Sequence, residues 1–142
     1  MTAHLDRHED PKVERYHGVH GRKRVEAITA AIKASGGQIV RAPSPGVAPF
    51  EFEVRLPDGK HLHLVCYAFT ANKYGQEGRP LDEHRLQVKY GSDFTRPHGI
   101  HIDPKRASTT LFFGVHEDAE LFIAADPAMH NPTWFSSSIE FK

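Results

Sequence analysis

The sequence predicts an α+β domain, a mostly antiparallel sheet of about six strands with one N-terminal amphipathic helix. Three observations predict it. Val25, Ile28, Ala31 and Ile32 recur at helical spacing ahead of the stop signal Gly36-Gly37. "FEFEVRL" alternates strictly, with Phe50, Phe52, Val54 and Leu56 on one face and charges on the other. "PDGK" is a tight-turn signal, so "KHLHLVCYAF" folds back antiparallel to it as the second arm of a hairpin.

In chain order, residues 1–11 are polar and are expected to be flexible. The helix runs from about Val19 to Ser35, with Arg22, Lys23 and Arg24 near its start. "QIVRAP" reads as a short strand, and "PSPGVAP" carries too many prolines to be anything but a loop. After the hairpin, "TANKYGQEGRP" is a polar, glycine-bearing loop, and "HRLQVKY" alternates again. "TTLFFGVH" and "ELFIAAD" are apolar strands joined by "EDA", and "SSSIEF" is the last strand.

At 142 residues the chain is the size of one domain, 1–142, able to close a core without staples. The single Cys66 excludes a disulfide framework and reads as a small core hydrophobe of a reducing compartment. No segment approaches the roughly 18 apolar residues that span a bilayer, so a soluble, cytoplasmic protein without membrane contact is expected. Lys plus Arg and Asp plus Glu are both 18, so the overall field is weak. The distribution is uneven: eight basic against five acidic residues over 1–50, and three against six over 101–142. The chain also ends on its last strand, which fits the N-terminal module of a longer protein.

Histidine is the compositional outlier at 11 residues. His61 and His63, two apart on a strand, share a face and suit two ligands of a transition metal, with His98, His101 or His116 as a third. Solvated strand histidines are the alternative. A restriction-type nuclease needs an Asp at one strand end and Glu-x-Lys on the next strand, to hold Mg²⁺ and position a water. Asp126 with Glu140 and Lys142 supplies that pattern, and Asp58 with Gln87, Val88 and Lys89 supplies a second version. There is no Gly-x-Ser-x-Gly elbow and no phosphate-cradling glycine loop.

In "HRLQVKY", Leu86, Val88 and Tyr90 share one face and Arg85, Gln87 and Lys89 the other. That makes a row of donors spaced about 7 Å apart, able to lie along phosphates or reach base edges. Asp82 and Glu83 instead favour a charge network with Arg79 and Arg85. Simple surface alternation gives the same pattern.

"RPLDEHRLQ", then "TTLFFGVHEDAELFIAADPAMH", then "FSSSIEF" resembles the N-terminal module of bacterial restriction-endonuclease and defence proteins, whose signature is Arg-Pro-x-Asp-Glu-Tyr-Arg-Ile-Gln. The likeness covers about Phe50 to Phe141. The signature falls on Arg79, Pro80, Asp82, Glu83, Arg85 and Gln87, with His84 in place of its tyrosine. Asp126, with His130 near it, and Ser136 to Ser138 fall on the later motifs. "YAFTANKYGQEG" keeps Thr70 and Asn72 but lacks the family's His-Gly loop.

The resemblance implies a DNA-recognition module of a restriction or phage-defence system that senses a specific or modified site, with a nuclease domain fused or separate. Binding would use Arg22, Lys23 and Arg24 on phosphates and Arg79, Arg85, Gln87 and Lys89 nearer the bases. Tyr74 and Trp134 are candidates to stack on a flipped or modified base. The alternatives are a Mg²⁺-dependent endonuclease using Asp126, Glu140 and Lys142, and a protein-interaction module whose signature is an internal charge network.

Overall fold

The computed structural model describes residues 13–73, 84–89, 98–102, 107–116, 121–130 and 136–141. The tail 1–11, Tyr74, Arg79, Asp82, Glu83, Trp134 and Lys142 lie outside the described residues.

The element order is β1 (Tyr16–His17), α1 (Arg22–Ala34), β2 (Gln38–Arg41), β3 (Val47–Ala48), β4 (Phe50–Arg55), β5 (His61–Lys73), β6 (His84–Lys89), β7 (Thr109–His116), β8 (Leu121–Ala125), a 3-10 turn Pro127–His130 and β9 (Ser136–Phe141). The chain is α+β, as its pattern predicts.

Helix α1 starts at Gly21, where a Cβ would run into the Phe50 ring and the Pro45 carbonyl, so close approach of helix and strand demands glycine. It ends in a Schellman arrangement: the Gly37 N–H donates to Ile32 O at 2.9 Å and the Gly36 N–H to Lys33 O at 3.0 Å. Gly36 sits at φ 87°, which L side chains rarely adopt.

The β4–β5 hairpin forms as predicted, with Phe50 opposite Cys66 and Arg55 opposite His61. Its turn places Gly59 at φ 89°, and Asp58 accepts the Lys60 N–H at 3.0 Å. One face of the sheet packs Phe50, Phe52, Val54, Leu64, Cys66, Ala68, Phe113 and Val115 against Ile28 of α1. The reverse face holds Val65, Tyr67, Phe69 and Phe112 under Ile100, with Tyr16 alongside.

Three expectations are corrected. Among the described residues the main sheet has seven strands and is mixed: β2, β4, β5, β6 and β9 follow one path, and β7 joins β5 on its other edge and carries β8. The β5–β7 ladder is parallel, Leu64 with Thr109 through Thr70 with Val115. The reason lies in β5, thirteen residues whose run Leu64–Phe69 is buried on both faces, as a central strand must be. That length lets β4 (opposite 61–66) and β6 (opposite 70–73) share one edge in succession, which leaves the other edge for β7.

Second, "PSPGVAP" is not wholly a loop, because Val47 and Ala48 pair with Tyr16 and His17 in a separate two-stranded ribbon. Third, the charged face of β4 is not simply solvated: Glu51 is 7 % exposed. Among the described residues no helix is long and apolar enough to cross a membrane.

Candidate nucleic-acid interface

The first turn of α1 carries Arg22, Lys23 and Arg24 and no acidic residue. Arg22 is exposed and reaches Glu26 at 3.5 Å, a loose i,i+4 contact of little energetic weight. Lys23 is also exposed. Arg24 is committed to the fold. Its guanidinium donates to Ala68 O at 2.7 Å and His20 O at 3.1 Å and lies 5.4 Å from the centroid of the Phe50 ring.

The bond from Arg24 to Ala68 seats the helix start beside β5 near where that strand passes from β4 to β6. Residues 64, 66 and 68 of β5 face α1, so Thr70 and Asn72 continue that face. Across the ladders Thr70 stands opposite Gln87 and Gln87 opposite Ser138; Asn72 stands opposite Arg85 and Arg85 opposite Glu140. Lys89 stands opposite Ser136. Arg85, Gln87 and Lys89 thus occupy alternate register positions of β6. With Thr70, Asn72, Ser136 and Ser138 across the ladders, these positions form a polar strip in the register.

Among the described residues the strands do not bring Asp126 and Glu140 together, and Lys142 lies outside them. Asp126 follows β8 and Glu140 lies on β9, and β7, β5 and β6 run between those strands. At about 4.8 Å per strand they are on the order of 19 Å apart, too far to share a metal ion. Asp126 has a structural occupation instead: it is exposed, and its carboxylate accepts the Ala128 N–H at 3.0 Å, starting the 3-10 turn. Asp58 is likewise engaged within the β4–β5 turn.

His61 and His63 share the face of the sheet remote from α1, each with its own partner. His61 Nε2 accepts the Arg55 Nε–H at 3.3 Å, and His63 Nε2 lies 3.6 Å from Glu51 Oε1. Among the described residues no group of three or more His, Cys, Asp or Glu is placed to hold a metal.

Sequence reasoning missed the charge cluster on that face. Arg15 clamps Glu51 with both arms, Nε to Oε2 at 2.8 Å and a terminal nitrogen to Oε1 at 3.0 Å. Burial works to raise the Glu51 pKa, but His63 and Arg15 outweigh it and hold the carboxyl below its ordinary value. At 3.6 Å the His63 contact is an ion-pair distance, so Arg15 is the firmer partner. Nearby, His98 is 2 % exposed and its Nδ1 meets Glu14 Oε1 at 2.9 Å. The only hint in the sequence was alternating charge in "FEFEVRL" and "VERYH", which does not say who pairs with whom. Burial pushes the Cys66 thiol up to about 12, so it is an inert core group.

Residues 62–142 match the family described as Methylase-associated X1. No curated protein and no solved structure matches the chain. The matched segment begins in β5 and takes in β6 and β9, so the polar strip lies inside it and the helix start outside.

Proposed function

Because the chain belongs to the methylase-associated X1 family, we propose that it serves a restriction-modification system as a DNA-contacting module. Its reading surface is the polar strip of β6 and β9 beside the start of α1. The observation that supports this is the register, in which Arg85, Gln87 and Lys89 alternate along β6 opposite Asn72, Thr70 and the serines of β9. Arg22, Lys23 and Lys89 would hold phosphates; Arg85 and Gln87 have the donor geometry for guanine and adenine edges. Tyr74, Arg79 and Trp134, from the adjoining loops, would extend the surface toward a specific or modified base.

Fluorescence anisotropy on methylated and unmethylated duplexes tests this. Lys89→Ala should weaken every duplex about equally and lower the salt slope by about one unit, whereas Gln87→Ala should cost about 1–3 kcal/mol at one base position only. An absence of binding to either duplex at low salt would overturn the proposal.

One observation favours a second reading, a protein-interaction module: the ladder sets Arg85 opposite Glu140, a pairing that an internal ion pair would use. In that case Arg85→Ala destabilises the fold and changes no DNA affinity.

A further inference from the structure

We infer that β8 is a self-association edge, at which two copies of this chain pair β8 antiparallel to β8 about a two-fold axis at Ile123. Among the described residues the main sheet ends in three strands that each have one neighbour, β2, β8 and β9. An open edge presents unpaired N–H and C=O groups, and native proteins blunt such edges with charge, proline or a bulge. Strand β2 carries Arg41 and an irregular register between Ile39 and Arg41. Strand β9 carries Glu140. Strand β8 reads "LFIAA", with no charge, no proline and no irregularity along its ladder with β7.

The composition of β8 is self-complementary. With Ile123 on the axis, Phe122 stands opposite Ala124 of the second copy and Leu121 opposite its Ala125, a large residue against a small one on each face. The surroundings agree. Phe122 and Leu111 are 38 % and 39 % exposed, although Phe122 sits edge-on to Phe113 at 5.5 Å. Both border an open apolar groove of about 400 Å³ between α1 and β8, which pairing at β8 would extend across the axis. Met129, in the 3-10 turn that follows β8, is 76 % exposed. A five-residue strand pair with these side chains covers less than the roughly 800 Å² per partner of a standard interface. The dimer is therefore concentration-dependent, and it is isologous. This inference stands whatever β6 contacts.

Sedimentation velocity on the full chain, from about 1 μM to about 1 mM, should show the mass climbing from 16.0 kDa toward twice that value. Amide exchange in β8 should slow over the same range. Ala124 is exposed, so Ala124→Lys adds charge at the edge without removing packing; it should leave the circular dichroism unchanged and keep the chain monomeric. Val40→Lys, at an exposed position on the β2 edge, should dimerise like the wild type. A wild-type chain that stays monomeric throughout, an Ala124→Lys chain that dimerises normally, or loss of the dimer in a folded Val40→Lys chain would each overturn the inference.

Discussion

Glu51 shows how far a single residue departs from its appearance in the sequence. As the second letter of "FEFEVRL" it looks like one charge of a solvated face, yet it is buried and gripped by Arg15 from 36 positions away. Alternation says which residues share a face; it cannot say that residues 13–17 fold back across it. Because its carboxyl is held below the ordinary carboxylate value, Glu51 contributes stability that is full above that ordinary value and is lost as pH falls through the lowered one. Glu51→Gln should cost about 3 kcal/mol near neutral pH, since it leaves Arg15 facing a neutral group. Urea unfolding of both proteins from pH 7 to pH 3 should show the gap narrowing as the wild-type carboxylate protonates. A gap constant with pH would mean that Glu51 is neutral in the folded protein. Arg24 departs in the opposite sense: it looks like a free cation in "GRKR", but the Ala68 carbonyl and the Phe50 ring hold it, which leaves Arg22 and Lys23 as the exposed basic groups of that turn.

Among the elements, α1, the β4–β5 hairpin, β6 and the β7–β8 pair were legible, because each is specified by local periodicity and a local turn. Gly36 is the clearest instance. Its positive φ and the Pro57 ring, 3.1 Å from where a Cβ would stand, both resist a side chain. Gly36→Ala should therefore destabilise the protein by about 1 kcal/mol, read as a lower thermal midpoint with unchanged helical dichroism. The parallel β5–β7 pairing was not legible, since two apolar strands carry no mark of their relative direction. The one local mark of a central strand is the unbroken apolar run from Leu64 to Phe69, which the structure buries on both faces. The nuclease pattern meets the same limit: β8, which Asp126 follows, and β9, which carries Glu140, are consecutive in sequence but not neighbours in the sheet.

On the scale of the whole molecule, charge sums to zero and the polar strip acts locally. If Arg22, Lys23 and Lys89 are the cations that meet phosphates, the plot of log affinity against log salt should be no steeper than about −2.7. A much steeper slope would place the contact on a wider surface. The parallel β5–β7 ladder has a consequence in time as well. Leu64 meets Thr109, and the core beneath α1 includes Phe113 and Val115. On an emerging chain the helix and first hairpin are complete long before those residues arrive, and until then Phe52, Cys66 and Ala68 lack their cover. Folding must wait for a distant segment, so refolding should take milliseconds to seconds, the regime of non-local sheets. Phe113→Ala should mark whether that docking precedes or follows the rate-limiting barrier. Nascent chains that stop short of β7 should depend on chaperones that shield apolar surface.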